Sequence, residues 1–87
     1  MDFSIQFTEE GKRTLHGLHI SNQRQIKKEL KRLRSKIKGK QLKGRLKGFF
    51  SFRFKKYRVM YSHHPKGIVI HYVGHRREVY GKGEENT

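Results

Sequence analysis

The sequence predicts an α+β fold: an N-terminal strand, two helices forming a helical hairpin, and a three-stranded antiparallel meander, with the helices packed on one face of a four-stranded sheet. Three observations carry this expectation. Phe3, Ile5 and Phe7 alternate with Ser4 and Gln6, the period-two pattern of a half-buried strand. Ile26, Leu30, Leu33 and Ile37 recur at helical spacing and define one apolar stripe. Phe49 to Tyr80 then reads as three apolar or aromatic runs separated by turn residues. With 87 residues, 32% hydrophobic and 33% charged, the chain suffices for one domain with a single thin core. Residues 1–80 are expected to form that domain and residues 81–87 a flexible tail.

The elements follow in order. After the first strand, Thr8 offers an N-cap, with Glu9 and Glu10 in the first helical turn, where the helix dipole favours acids. Leu15 and Leu18 are the buried side of this helix, which Gly11 weakens. Ser21 is the second N-cap candidate, and Gly39 a plausible residue just past the end of the second helix. Lys27, Lys28, Lys31, Arg32, Arg34, Lys36 and Lys38 crowd its polar faces with Glu29 as the single acid, so an electrostatic docking role stands beside that of a solvated face. Gly39 to Gly48 reads as a connecting loop with Leu42 and Leu46 tucked under the sheet. Its Lys40, Lys43, Arg45 and Lys47 are candidate phosphate contacts.

In the meander, Phe50, Phe52 and Phe54 alternate with Ser51, Arg53 and Lys55, so one face is aromatic and the other basic. A row of Phe can stack nucleobases, but these side chains also face what the amphipathic helix must cover, and core packing is the stronger reading. Lys55 and Lys56 form a tight turn into Tyr57–Tyr61. If Val59 and Tyr61 pack inward, Arg58 lies beside Arg53 on the opposite face. The run His63-His64-Pro65-Lys66-Gly67 is a turn, and Ile68 to Val73 a well-covered strand. His75, Arg76 and Tyr80 follow, where they can converge with Arg53 and Arg58.

Charge narrows the function classes. Lys and Arg number 22 against 7 acids, for a formal net charge of +15, and a partner of dense negative charge, nucleic acid above all, is the natural reading. No run approaches the roughly 20 apolar residues of a spanning helix, and the N-terminus lacks the pattern of a signal peptide. With no Cys, disulfides and thiolate chemistry are out, and a cytoplasmic setting fits. Of the six His, His16 and His19, and His63 and His64, do not sit at the i, i+4 spacing of two ligands on one helical face, and no carboxylate accompanies them, so no metal and no cofactor is expected.

The order of strand, two helices, Lys-x-Leu-Lys-Gly-x-Leu-x-Gly (Lys40 to Gly48), Tyr-Arg-Val-x-Tyr (Tyr57 to Tyr61) and Val-Gly-His-Arg-x-x-Val-Tyr (Val73 to Tyr80) resembles the RelE/ParE superfamily of toxins over nearly the whole chain. The resemblance implies a ribosome-dependent mRNA endonuclease that cuts message in the ribosomal A site without a metal. It would be held inactive by a short, acidic cognate antitoxin, the toxin being a monomer within that complex. It places Arg58 and Arg76 as phosphate and transition-state contacts and Tyr80 near the scissile phosphate. Arg53, with Lys55, falls where the family carries basic residues on the preceding strand.

Chemistry stands beside the resemblance. Attack of a ribose 2′-hydroxyl on its phosphate needs a proton acceptor, positive charge for the phosphorane and a proton donor for the leaving oxygen. Arg53, Arg58 and Arg76 can supply charge, since the guanidinium fork matches phosphate. His75, Tyr80 and Lys55 are the proton-transfer candidates. His75 has the most suitable free pKa, but alternation turns it away from Arg76 and ranks Tyr80 ahead; a positive surrounding favours phenolate. Lys56, Lys43, Arg45 and Lys47 are auxiliary RNA contacts. Two other readings stand: a ParE-like poison of DNA gyrase, and a non-enzymatic basic RNA-binding module.

Overall fold

The computed structural model describes residues 3–42, 44 and 47–75. Along the chain run β1 (Ser4–Phe7), α1 (Glu9–His16), α2 (Ile20–Leu33), a 3-10 turn (Arg34–Lys36), β2 (Lys40–Gln41), β3 (Phe49–Phe54), β4 (Tyr57–His64) and β5 (Gly67–His75). The strands form one sheet in the order β1-β5-β4-β3-β2. Strands β3, β4 and β5 are the expected antiparallel meander. Strand β1 is parallel to β5, an arrangement that requires a long crossover, here supplied by the two helices. The sheet has one strand more than the sequence suggested, because Lys40 and Gln41 pair with Ser51 and Phe50. The expected tail and the segment from Arg76 to Tyr80 lie outside the described residues.

Helix α1 starts as its sequence dictates. Thr8 Oγ1 accepts the Gly11 N–H at 3.0 Å, relieving one orphan donor of the first turn. Gly11 has a positive role that propensity alone hides: a Cβ there would collide with the main-chain oxygen of Ile70. Its absence lets α1 lie against β5. The contact is fastened by Thr14, whose Oγ1 donates to the Glu10 carbonyl at 2.8 Å and accepts the Val73 N–H at 2.9 Å.

Helix α2 departs from expectation at both ends. Its N-cap is His19, not Ser21: the imidazole Nδ1 accepts the Ser21 N–H at 3.2 Å. Its helical stretch closes at Leu33, with Arg34 at φ 48°, and a 3-10 turn follows. Ile37 therefore reaches the core from extended backbone. Gly39 is not the helix terminator. It passes so close to β3 that a Cβ would sit 2.5 Å from the Ser51 carbonyl oxygen, and its N–H donates to Tyr61 Oη at 2.8 Å.

The core lies between helices and sheet. Leu15, Ile26, Leu30 and Ile37 meet Phe52, Tyr57, Val59, Tyr61, Ile68, Ile70 and Val73, with Phe50, Phe54, Ile5 and Phe7 packed at its margin. At about 25 cal/mol per Å² of apolar area removed from water, this layer is the main stabilising term of the fold. The expected turn at residues 63–67 is shorter than its sequence implied, because His63 and His64 continue β4 and only Pro65 and Lys66 bridge to β5.

Candidate functional site

Alternation along β3 and β4 gives the sheet two chemically distinct faces. Phe52, Tyr57, Val59 and Tyr61 are buried against the helices. On the other face stand Phe49, Ser51 and Arg53 from β3, paired across to Ser62, Met60 and Arg58 from β4. Arg53 and Arg58, predicted to be neighbours, are direct cross-strand partners. Arg53 is exposed and Arg58 half-buried, with the Arg58 Nε shielded from solvent. On the far side of Arg58 its cross-strand partner is Gly74, which adds no side chain. A charge in such a partly desolvated position acts more strongly on a bound anion than one in bulk water.

The remaining predicted residues divide. Lys55 occupies the two-residue turn between Phe54 and Tyr57 at φ 55°. Its ammonium bends to α2, donating to Gln25 Oε1 at 2.8 Å, and lies 5.6 Å from the Phe54 ring centre. It thus leaves the Arg53 face to which simple alternation assigned it. Its carbonyl meanwhile accepts from Arg53 Nε at 3.3 Å. Lys56 lies 5.7 Å from the Tyr57 ring centre, and Tyr57 Oη accepts from Asn22 Nδ2 at 2.9 Å. His75 pairs with Tyr57, so it stands on the helix side of the sheet, away from Arg58. Lys47 is exposed. Arg76, Tyr80, Lys43 and Arg45 lie outside the described residues.

Sequence reasoning missed a second group on the arginine face. Met60 pairs with Tyr72 but Tyr61 pairs with Ile70, so His71 is the extra residue of a β-bulge. The bulge brings His71 Nε2 to 2.7 Å from Ser62 Oγ and sets its ring edge-on to Phe49 at 4.8 Å between centres. Burial pushes the His71 pKa down, partly opposed by the negative charge of Glu10. No local pattern announces a bulge, although the placement of Phe49 follows from the same alternation that placed Arg53. Between the two groups, Ser51 is only 3% exposed, and its Oγ has no hydrogen-bond partner among the described residues.

The cationic surface extends over α2. Glu29 is bound by Arg32 through contacts of 2.7 and 3.1 Å, so the one acid of the helix is taken, and Lys27, Lys28 and Lys31 have no acid on α2 to oppose them. Among the described residues there is no cluster of three metal-ligating side chains, and no helix is long and apolar enough to cross a membrane.

Comparison with known proteins gives this geometry a context. Residues 5–80 match the model of the ParE toxin of type II toxin–antitoxin systems. The toxin–antitoxin complex RelBE2 of Mycobacterium tuberculosis superposes with TM-score 0.73 at 29% identity, over 87% of this chain and 100% of that one. A substituted RelE toxin of E. coli in the free state gives 0.71 at 20% identity, covering 98% and 97%. The RelB–RelE complex of Methanococcus jannaschii gives 0.65 at 20% identity, covering 88% and 96%. No curated protein sequence matches the chain.

Proposed function

Because the chain belongs to the ParE toxin family of type II toxin–antitoxin systems, within the RelE/ParE superfamily, we propose that it acts as a RelE-like endoribonuclease that cuts mRNA in the ribosomal A site. The observation that carries this reading is the Arg53–Arg58 pair, two arginines placed directly opposite each other on neighbouring strands. Like charges placed directly opposite destabilise a sheet, and a phosphate between them reverses the sign of that interaction.

In the reaction, the 2′-oxygen attacks the adjacent phosphorus and the bond to the 5′-oxygen breaks, leaving a 2′,3′-cyclic phosphate and a 5′-hydroxyl. One proton leaves the 2′-oxygen and one is delivered to the 5′-oxygen. Arg58, half-buried and oriented by the hairpin, stabilises the charge gathering on the phosphorane. Arg53, more exposed, draws in and orients the RNA backbone. The superfamily pattern adds Arg76 as a second transition-state contact and Tyr80 as the proton-transfer group, with no metal. His75, on the opposite side of the sheet from Arg58, is the weaker candidate for that step. Lys55 and Lys56, carried on the helix side of the turn, serve the flanking backbone together with Lys43, Arg45 and Lys47.

The partner of this chain is a cognate antitoxin, as in the toxin–antitoxin complexes among its structural neighbours. We take it to be short and acidic, neutralising the +15 charge by folding onto the toxin, with a single toxin chain per binding unit in the cytoplasm. The test is to incubate the protein with programmed ribosomes and map the message ends. Cleavage that is lost in Arg58→Ala is expected; no cleavage by the wild type, or undiminished cleavage by Arg58→Ala, would overturn the reading. The family match itself, to ParE, favours one other reading, a gyrase poison. DNA-damage signalling in expressing cells without loss of message would select it.

A further inference from the structure

We infer that Phe49, Ser62 and His71 form a nucleobase subsite on the arginine face, so that the sheet reads sequence at one end while Arg53 and Arg58 hold backbone at the other. This rests on the RNA-directed reading of the arginine pair and gives it a specificity element. The three residues come from three adjacent strands and share the face of the arginines. Phe49 and Ser62 are cross-strand partners, four residues along β3 and β4 from the Arg53–Arg58 pair. His71 joins them only because of the bulge in β5.

The chemistry of the group suits an unstacked base. Phe49 is half-buried and braced edge-on by His71, so its ring keeps a fixed orientation with part of its surface open. Aromatic rings held in this way are the usual platforms for bases of single-stranded RNA. Ser62 and His71 offer a hydroxyl and a ring nitrogen locked to each other at 2.7 Å, a fixed donor and acceptor pattern for a base edge. Their mutual bond satisfies both groups without a ligand, while the second hydrogen-bonding capacity of each stays available.

Spacing fits a single strand running between the two groups. At about 3.4 Å per residue, four residues place the aromatic group roughly 13 Å from the arginines. That is on the order of four stacked nucleotides at 3.4 Å each, or fewer if the strand is extended. Between them lie Ser51, Met60 and Tyr72, and Lys40, the exposed β2 partner of Ser51, offers one cation to a backbone passing along the face. Exposed Arg53 at one end and the Phe49 platform at the other therefore define a direction along the sheet.

The test is binding of labelled 2′-O-methyl RNA octamers, which lack the attacking hydroxyl, by fluorescence anisotropy. Each octamer is uridine except for one A, C or G moved through the positions. The wild type should prefer one base at one position by about fivefold or more. Phe49→Leu should abolish the preference and weaken binding about fivefold, and Ser62→Ala should relax the preference. Arg58→Ala should weaken all octamers alike and keep their rank order. Equal affinity for all octamers, no detectable binding by the wild type, or an intact preference in both Phe49→Leu and Ser62→Ala would overturn the inference. Should Phe49→Leu fail to fold, Ser62→Ala decides. Message cleavage on ribosomes is scored separately, so a base preference without cleavage keeps the subsite and removes the nuclease.

Discussion

Arg53 and Arg58 face each other directly across the β3–β4 hairpin, a like-charge pair where strands ordinarily place complementary side chains. Such a pair costs stability, typically a few tenths to 1 kcal/mol. Arg53→Thr should therefore raise the melting temperature by a few degrees, since about 1 kcal/mol corresponds to roughly 4–8 °C in a domain of this size. The same substitution should lower message cleavage severalfold, the usual opposition between stability and a charged functional site. Added phosphate should narrow the difference in melting temperature by stabilising the wild type more. A variant melting below wild type in low-salt buffer would show that the pair is not under electrostatic strain.

Lys55 sits first in a two-residue turn with φ 55°, a conformation that favours Gly over residues bearing a Cβ. Lys55→Gly removes an exposed hydrogen bond to Gln25 but relieves the backbone. We expect a net gain of about 0.5 kcal/mol in urea unfolding. Lys55→Pro, whose φ is locked near −65°, should destabilise by more than about 1 kcal/mol. If Lys55→Gly instead melts well below wild type, the Gln25 tether is worth more than the strain.

These two positions also indicate what could be read ahead of the structure. Alternation placed Arg53 and Arg58 together because strand parity is fixed by backbone geometry over any short run. The same rule failed at Lys55, since parity lapses where the chain turns and a long side chain can bend to either face. It could not reach His71, whose orientation depends on one inserted residue in a pairing between distant segments. The ends of α2 were obscured for a related reason. His19 replaces Ser21 as cap because its imidazole nitrogen accepts the Ser21 N–H, and Gly39 is needed for its contact with Ser51 and Tyr61, which is not encoded locally.

Tyr61 holds the connection between α2 and β2. It is 1% exposed, and its hydroxyl takes the Gly39 N–H at 2.8 Å; burial raises its pKa, with the Gly39 bond opposing. Tyr61→Phe keeps the ring but strands that main-chain donor, at a cost of about 1–3 kcal/mol. Gly39→Ala drives a methyl group against the Ser51 carbonyl and the Tyr61 ring and should cost at least as much. Because both act on one contact, the double variant should lose clearly less than the sum. Strict additivity in a double-mutant cycle would mean that the two residues stabilise the fold independently.

His71 couples the arginine face to pH. Its pKa lies below the ordinary value of 6.5 because burial disfavours the imidazolium, and Glu10 offsets only part of this. The unfolded chain therefore takes up a proton on this side chain at a higher pH than the folded one does. The stability associated with neutral His71 is fully present above pH 6.5 and is lost as pH falls through the folded-state value. Urea midpoints measured between pH 7.5 and 5 should decline for the wild type. The decline should be shallower in His71→Gln, which can keep a hydrogen bond to Ser62 but does not titrate. Glu10→Gln should steepen it, because removing the carboxylate takes away the opposing influence and lowers the folded pKa further. Parallel pH curves for wild type and His71→Gln would place the titration elsewhere in the molecule.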